Sequence, residues 1–172
     1  MKRKLFFMIT TSLLLIAAAC SNEVEKMTDP NPYTIRKENF LFKKDMGLYL
    51  TAQQERSATY SKPFEIDQVN REGDLLHIGV SFPAGCNDNE FEVIWDGLIM
   101  ESSPPQTRIF IKRNAKDCTP SDEIKQLTLT VDLNELIFKN GDQQLQSAVV
   151  IVSNASKKVS SKEADIPVSS NP

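Results

Sequence analysis

Residues 74–82 read Asp-Leu-Leu-His-Ile-Gly-Val-Ser-Phe, and their period is two. Leu76, Ile78, Val80 and Phe82 fall on one face while His77, Gly79 and Ser81 fall on the other, as in a strand buried on one side. The same alternation returns downstream. Phe91, Val93 and Trp95 alternate with Glu92, Ile94 and Asp96, and Ile109 and Ile111 with Arg108, Phe110 and Lys112. Leu127, Leu129 and Val131 alternate with Thr128, Thr130 and Asp132. Residues 147–152 form a nearly unbroken β-branched run, the pattern of a well-buried strand.

Working outward, Asn70-Arg71-Glu72-Gly73 supplies a hairpin turn between a Phe64–Val69 strand and the strand from Asp74, and Leu48–Thr51 is a weaker strand candidate. Asp132, three residues before Glu135, fits a helix cap, and Asn140-Gly141 would end one or two helical turns. The fold class expected is all-β. It is an antiparallel β-sandwich, immunoglobulin-like in the loose sense, of about seven strands with one short helical turn. Trp95 is expected in its core, near Cys86.

The chain begins differently. Lys2, Arg3 and Lys4 precede an apolar run from Leu5 to Ile16, then Ala17-Ala18-Ala19 meet Cys20. So short a leader, ending in small residues, reads as a cleavable export signal rather than a spanning helix. The junction resembles the lipobox of prolipoproteins, with Ala17 where leucine is usual; an ordinary secretory cut after Ala19 is the alternative. The resemblance implies diacylglyceryl transfer to the Cys20 thiol and an acyl anchor in a membrane. Burial of acyl chains at about 0.8 kcal/mol per methylene then holds the protein without a transmembrane segment.

Without residues 1–19, 17 Lys and Arg face 23 Asp and Glu, a net charge of −6. An acidic chain argues against nucleic acid as a partner, which needs clustered cations, and against an electrostatic grip on anionic lipid. Residues 20–40, with Thr28-Asp29-Pro30-Asn31-Pro32, read as a tether; 41–155 as the sandwich domain; and 156–172, rich in Ser and Lys, as a mobile tail. Ser21 and the acids Glu23 and Glu25 resemble the surface-export signals of Bacteroidota lipoproteins, which implies an outer-membrane, surface-exposed location. A plain linker on a periplasm-facing lipoprotein is equally consistent.

With Cys20 assigned to lipid, Cys86 and Cys118 remain as an even pair in an oxidising compartment, and a structural disulfide is expected. A redox or zinc pair would want Cys-x-x-Cys spacing or more His and Cys. Gly85-Cys86-Asn87-Asp88-Asn89-Glu90-Phe91, Trp95-Asp96-Gly97, Pro104-Pro105-Gln106 and Asp117-Cys118 together resemble a group of small Bacteroidota lipoproteins over about residues 64–138. In that pattern Asn89 stands in the place of one histidine and Arg113 in the place of another. The resemblance brings no biochemical activity with it.

If the cysteines are bonded, Asp88, Asn89, Glu90 and Asp117 gather on loops, with Asp122 and Glu123 near. Such oxygens make a weak calcium candidate without any regular ligand spacing; no other cofactor is expected. His77, the only histidine, sits mid-strand on the polar face and reads as half-exposed rather than catalytic. No phosphate loop, zinc motif or nucleophile elbow is present.

The function expected is a non-enzymatic, lipid-anchored binding module for an envelope protein or glycan. Tyr49, Tyr60 and Phe110 are the rings to consider for sugar stacking, with ordinary packing favoured. The alternatives are an envelope hydrolase with paired carboxylates, and an inhibitor presenting Ser102-Ser103-Pro104-Pro105 as a rigid loop.

Overall fold

The computed structural model describes residues 32–56, 62–138, 146–157 and 164–170. These form an all-β sandwich of two sheets, with nine strands and two short helices among the described residues. In chain order they are β1 (Tyr33–Arg36), β2 (Phe40–Lys44), α1 (Met46–Glu55), β3 (Glu65–Glu72), β4 (Leu75–Pro83), β5 (Asn87–Trp95), β6 (Gln106–Lys116), β7 (Ile124–Asp132), α2 (Leu133–Leu136), β8 (Val149–Asn154) and β9 (Asp165–Val168). One sheet runs β1-β2-β5-β6-β8-β9 and the other β3-β4-β7. No helix among the described residues is long and apolar enough to cross a membrane.

The alternating faces behave as their period requires. Leu76, Ile78 and Val80 of β4, and Leu129 and Val131 of β7, are buried against Phe91, Val93, Trp95, Ile109 and Ile111 of the larger sheet. Each such side chain contributes roughly 1.5–3 kcal/mol by leaving water, so these facing strands carry most of the hydrophobic stabilisation. His77 is partly exposed, with Nδ1 3.3 Å from Thr130 Oγ1.

Four features differ from the sequence reading. The strand expected at Leu48–Thr51 is part of α1, capped by Asp45, whose side chain accepts from Leu48 N at 2.9 Å. Tyr49 and Ala52 face inward one turn apart and cover Ile94, Phe110 and Ala155 on the outer face of the larger sheet. β5 and β6 are therefore buried on both sides. The hairpin turn lies at Gly73-Asp74, where Gly73 takes φ +59°, because Asn70, Arg71 and Glu72 pair with His77, Leu76 and Leu75.

The sheets are also not purely antiparallel. β2 runs parallel to β5 and β6 parallel to β8. β1 and the start of β2 fall within the expected tether, and β9 within the expected tail, so strands lie on both sides of the 41–155 span. The cap expected at Asp132 is present: its Oδ1 accepts from Glu135 N at 2.9 Å, opening α2. Asn140 and Gly141 lie outside the described residues.

Candidate functional site

β5 and β6 are paired from Trp95↔Ile109 at one end of the molecule to Asn87↔Lys116 at the other. At that second end the register slips, so that Asp88 and Asn89 together oppose the single residue Ala115 between the pairs Asn87↔Lys116 and Glu90↔Asn114. Asp88 and Asp117 adopt left-handed backbone, φ 48° and 46°, a conformation that Asp accepts more readily than most residues. Just beyond, Cys86 and Cys118 are joined by a disulfide that closes a separation of 32 residues.

The glycine before Cys86 has a steric reason. Thr119 N donates to Gly85 O at 2.6 Å, and a Cβ on Gly85 would lie 2.0 Å from Thr119 O. Only glycine lets the two backbones approach so closely beside the disulfide.

Asn89 and Arg113 touch each other. Arg113 is 1% exposed. Its Nε and Nη2 donate to Asn89 Oδ1 at 3.0 and 2.5 Å, Nη1 to Pro63 O at 3.0 Å, and Nη2 to Pro83 O at 3.0 Å. The guanidinium lies over the Phe82 ring, 4.7 Å from its centroid, and Phe82 and Phe64 pack edge-on against Phe91. A buried cation is tolerable here because a planar fork meets three fixed oxygens and an aromatic face.

Above this pair opens a cleft of about 850 Å³, reached by Glu55 at the end of α1, Lys62, Asp88, Glu90, Lys112 and Lys116. Charges of both signs line it. Lys112 Nζ is 3.4 Å from Glu55, Glu90 pairs with Arg36 at 3.0 Å, and Lys62 Nζ lies 3.5 Å from Cys118 Sγ. No family model, curated protein or solved structure matches this chain.

Two of the four residues considered for calcium are engaged within the protein. Asn89 spends its amide oxygen on Arg113 and donates Nδ2 to Cys86 O at 2.7 Å, while Glu90 turns to Arg36. Among the described residues no group of three or more His, Cys, Asp or Glu side chains is arranged to hold a metal. The cleft therefore offers hydrogen-bond donors and acceptors of both charges, suited to a polar ligand.

The rings considered for sugar stacking do not present themselves. Tyr49 and Phe110 are buried edge-to-face, 5.0 Å apart, under α1; Tyr60 lies outside the described residues. Burial, reinforced by the nearby Asp96 carboxylate, pushes the Tyr49 phenol up to about 12. Trp95 is buried as expected, donating Nε1 to Thr107 Oγ1 at 2.9 Å, but it is not near Cys86. It ends β5 and Cys86 precedes it, so they lie roughly 25–30 Å apart at strand rise. Pro104-Pro105 does not form an extended loop either. Met100 and Gln106 bridge with N–H···O bonds of 2.7 and 3.1 Å, and Ser102 Oγ donates to Pro104 O, closing residues 101–105 on themselves.

Two further charged clusters escaped the sequence reading. Asp165 Oδ1 accepts from Arg56 Nη2 (2.8 Å), Arg108 Nη1 (2.9 Å) and Ser153 Oγ (2.6 Å), tying α1, β6, β8 and β9 together. Burial works to raise this carboxyl, but the hydrogen bonds from Arg56, Ser153 and Arg108 outweigh it and hold it below the usual range. Arg71 caps the other end of the sandwich, donating to Ala148 O and Gln146 O at 2.5 Å each. In sequence each of these arginines looks like any surface cation.

Proposed function

We propose that this chain is a lipoprotein of the cell envelope, tethered through acylated Cys20, whose sandwich binds an envelope protein or glycan without catalysing a reaction. The observation that carries the reading is the opposition of the two ends. Tyr33, where the tether joins the sheet, pairs with Lys44, and Lys44 with Trp95, whereas the two-signed cleft opens at the Asn87↔Lys116 end of the same strand pair. A domain joined to its tether at Tyr33 thus carries its cleft at the opposite end of the same sheet, which supports presentation away from the membrane. The resemblance to small Bacteroidota lipoproteins and the acidic residues after Cys20 support an outer-membrane, surface-exposed location.

The hydrolase alternative draws on Glu55, Asp88 and Glu90 around one cleft. Glu55 and Glu90 are already engaged by Lys112 and Arg36, which favours binding over acid–base work. The test has two parts. Cys20→Ala is expected to move the protein from the membrane to the soluble fraction. Lys112→Glu with Lys116→Glu is expected to weaken binding to purified envelope glycans or proteins, while Thr128→Glu, exposed on the far sheet, does not. A Cys20→Ala chain that stays in the membrane would contradict the anchor, and equal binding by both variants would contradict the cleft.

A further inference from the structure

Five large apolar side chains are exposed among the described residues: Leu48 at 38%, Leu75 at 40%, Leu98 at 56%, Met100 at 49% and Ile124 at 58%. The registers place four of them at one end. Leu98 follows Trp95, the end of β5, and Met100 is bridged to Gln106, the start of β6. Leu48 lies in the first turn of α1, whose cap residue Asp45 donates its N–H to Trp95 O at 2.9 Å. Leu75 opens β4 opposite Glu72, beside Arg71, whose guanidinium reaches Ala148 O next to the start of β8. Ile124 alone sits at the cleft end, opposite Pro83.

The tether enters at that same apolar end, because Tyr33 pairs with Lys44 and Lys44 with Trp95. We infer that this end, with Leu98 and Met100 at its tip, rests on and dips into the lipid surface that holds the anchor. The inference depends on the anchor reading above. Residues 20–32 can span about 40 Å when extended, so the tether alone would let the domain hang free in any orientation. Anchoring also makes docking intramolecular, so a contact too weak to recruit a free protein becomes sufficient. Exposed apolar side chains at a membrane-facing end then lose water to acyl chains. Glu101, exposed beside Met100, and Lys44, whose side chain lies against Gly97, give this end charges of both signs, so the lipid it fits is zwitterionic.

Trp95 is the chain's single tryptophan, and its Nε1 lies 3.3 Å from Leu98 O, so it reports on this end. The acylated protein is reconstituted into phosphatidylcholine vesicles with brominated acyl chains, and flotation and Trp95 emission are measured together. Wild type is expected to float and to lose roughly half its emission, as for apolar groups seated about 5–10 Å into the interface. Leu98→Ser with Met100→Ser is expected to float equally and lose little emission, with an unchanged urea midpoint because both side chains are exposed. Wild type that floats unquenched overturns the inference and leaves the anchor standing. Unquenched dimers that the double variant dissolves would assign the patch to a second copy and also overturn it. Acylated protein that fails to float overturns the anchor reading and this inference with it.

Discussion

Replacing Arg113 is expected to be the most costly polar change in the sandwich, and the cost can be worked from its contacts. Arg113→Met keeps most of the apolar stem but removes the guanidinium over Phe82 and the donors to Asn89 Oδ1, Pro63 O and Pro83 O. Each acceptor left unpaired in a dry site costs about 1–3 kcal/mol. The adjoining cleft admits water, which moves the total to the low end, about 3–4 kcal/mol. Arg113→Ala adds a cavity and is expected to cost about 1–2 kcal/mol more. Against a typical total stability of about 5–15 kcal/mol, either change is plainly readable by urea unfolding of residues 20–172 carrying Cys20→Ala. Asn89→Ala supplies the second arm, and the two are expected to couple by about 1–3 kcal/mol in a double-mutant cycle. A loss below about 1 kcal/mol for Arg113→Met, or strict additivity with Asn89→Ala, would refute the claim that this pair braces the cleft floor.

Other outcomes follow from the same geometry. Cys86→Ala and Cys118→Ala are each expected to cost about 3–4 kcal/mol on the chain-entropy account, and the double variant no more, by urea unfolding without reductant. Because Asp165 titrates lower folded than unfolded, its stabilisation is complete above the unfolded carboxyl value of about 3.9 and fades as pH falls through the folded one; Asp165→Asn should flatten the urea midpoint over that window. Tyr49 runs the other way. Its phenol is raised to about 12, so stability is kept below the unfolded value of about 10 and lost between the two; Tyr49→Phe should remove that alkaline loss. Trp95→Ala is expected to cost about 3–5 kcal/mol, and a loss under about 1 kcal/mol would contradict its buried bond to Thr107.

The strands with a clean period of two were legible because alternation reports burial on one face. Leu76, Ile78, Val80 and Phe82 all lie in the core. α1 was not, since only Tyr49 and Ala52 are buried along its ten residues, too narrow a stripe to outweigh a local apolar run, and its cap Asp45 lacks a Glu or Gln three positions on. Strand direction was also invisible. Alternation in β2 and β8 fixes which side chains face inward and carries no information on whether the neighbour runs parallel.

The site divides in the same way. The Cys86–Cys118 bond followed from counting cysteines, and Asn89 and Arg113 stood out only as departures from a pattern. Their mutual contact, and the deep burial of Arg56, Arg71 and Arg113, depends on carbonyls brought from distant segments such as Pro63, Ala164 and Ala148. No local spacing encodes those partners.

The anchor is tested most directly by the mass of the mature N-terminus. Protein purified from membranes of an expressing bacterium is digested, and its first peptide is read by mass spectrometry. A peptide beginning at Cys20 and carrying a diacylglyceryl group is expected. A peptide beginning at Cys20 with a free thiol, or an uncleaved leader, would contradict the lipoprotein reading on which the orientation of the cleft depends.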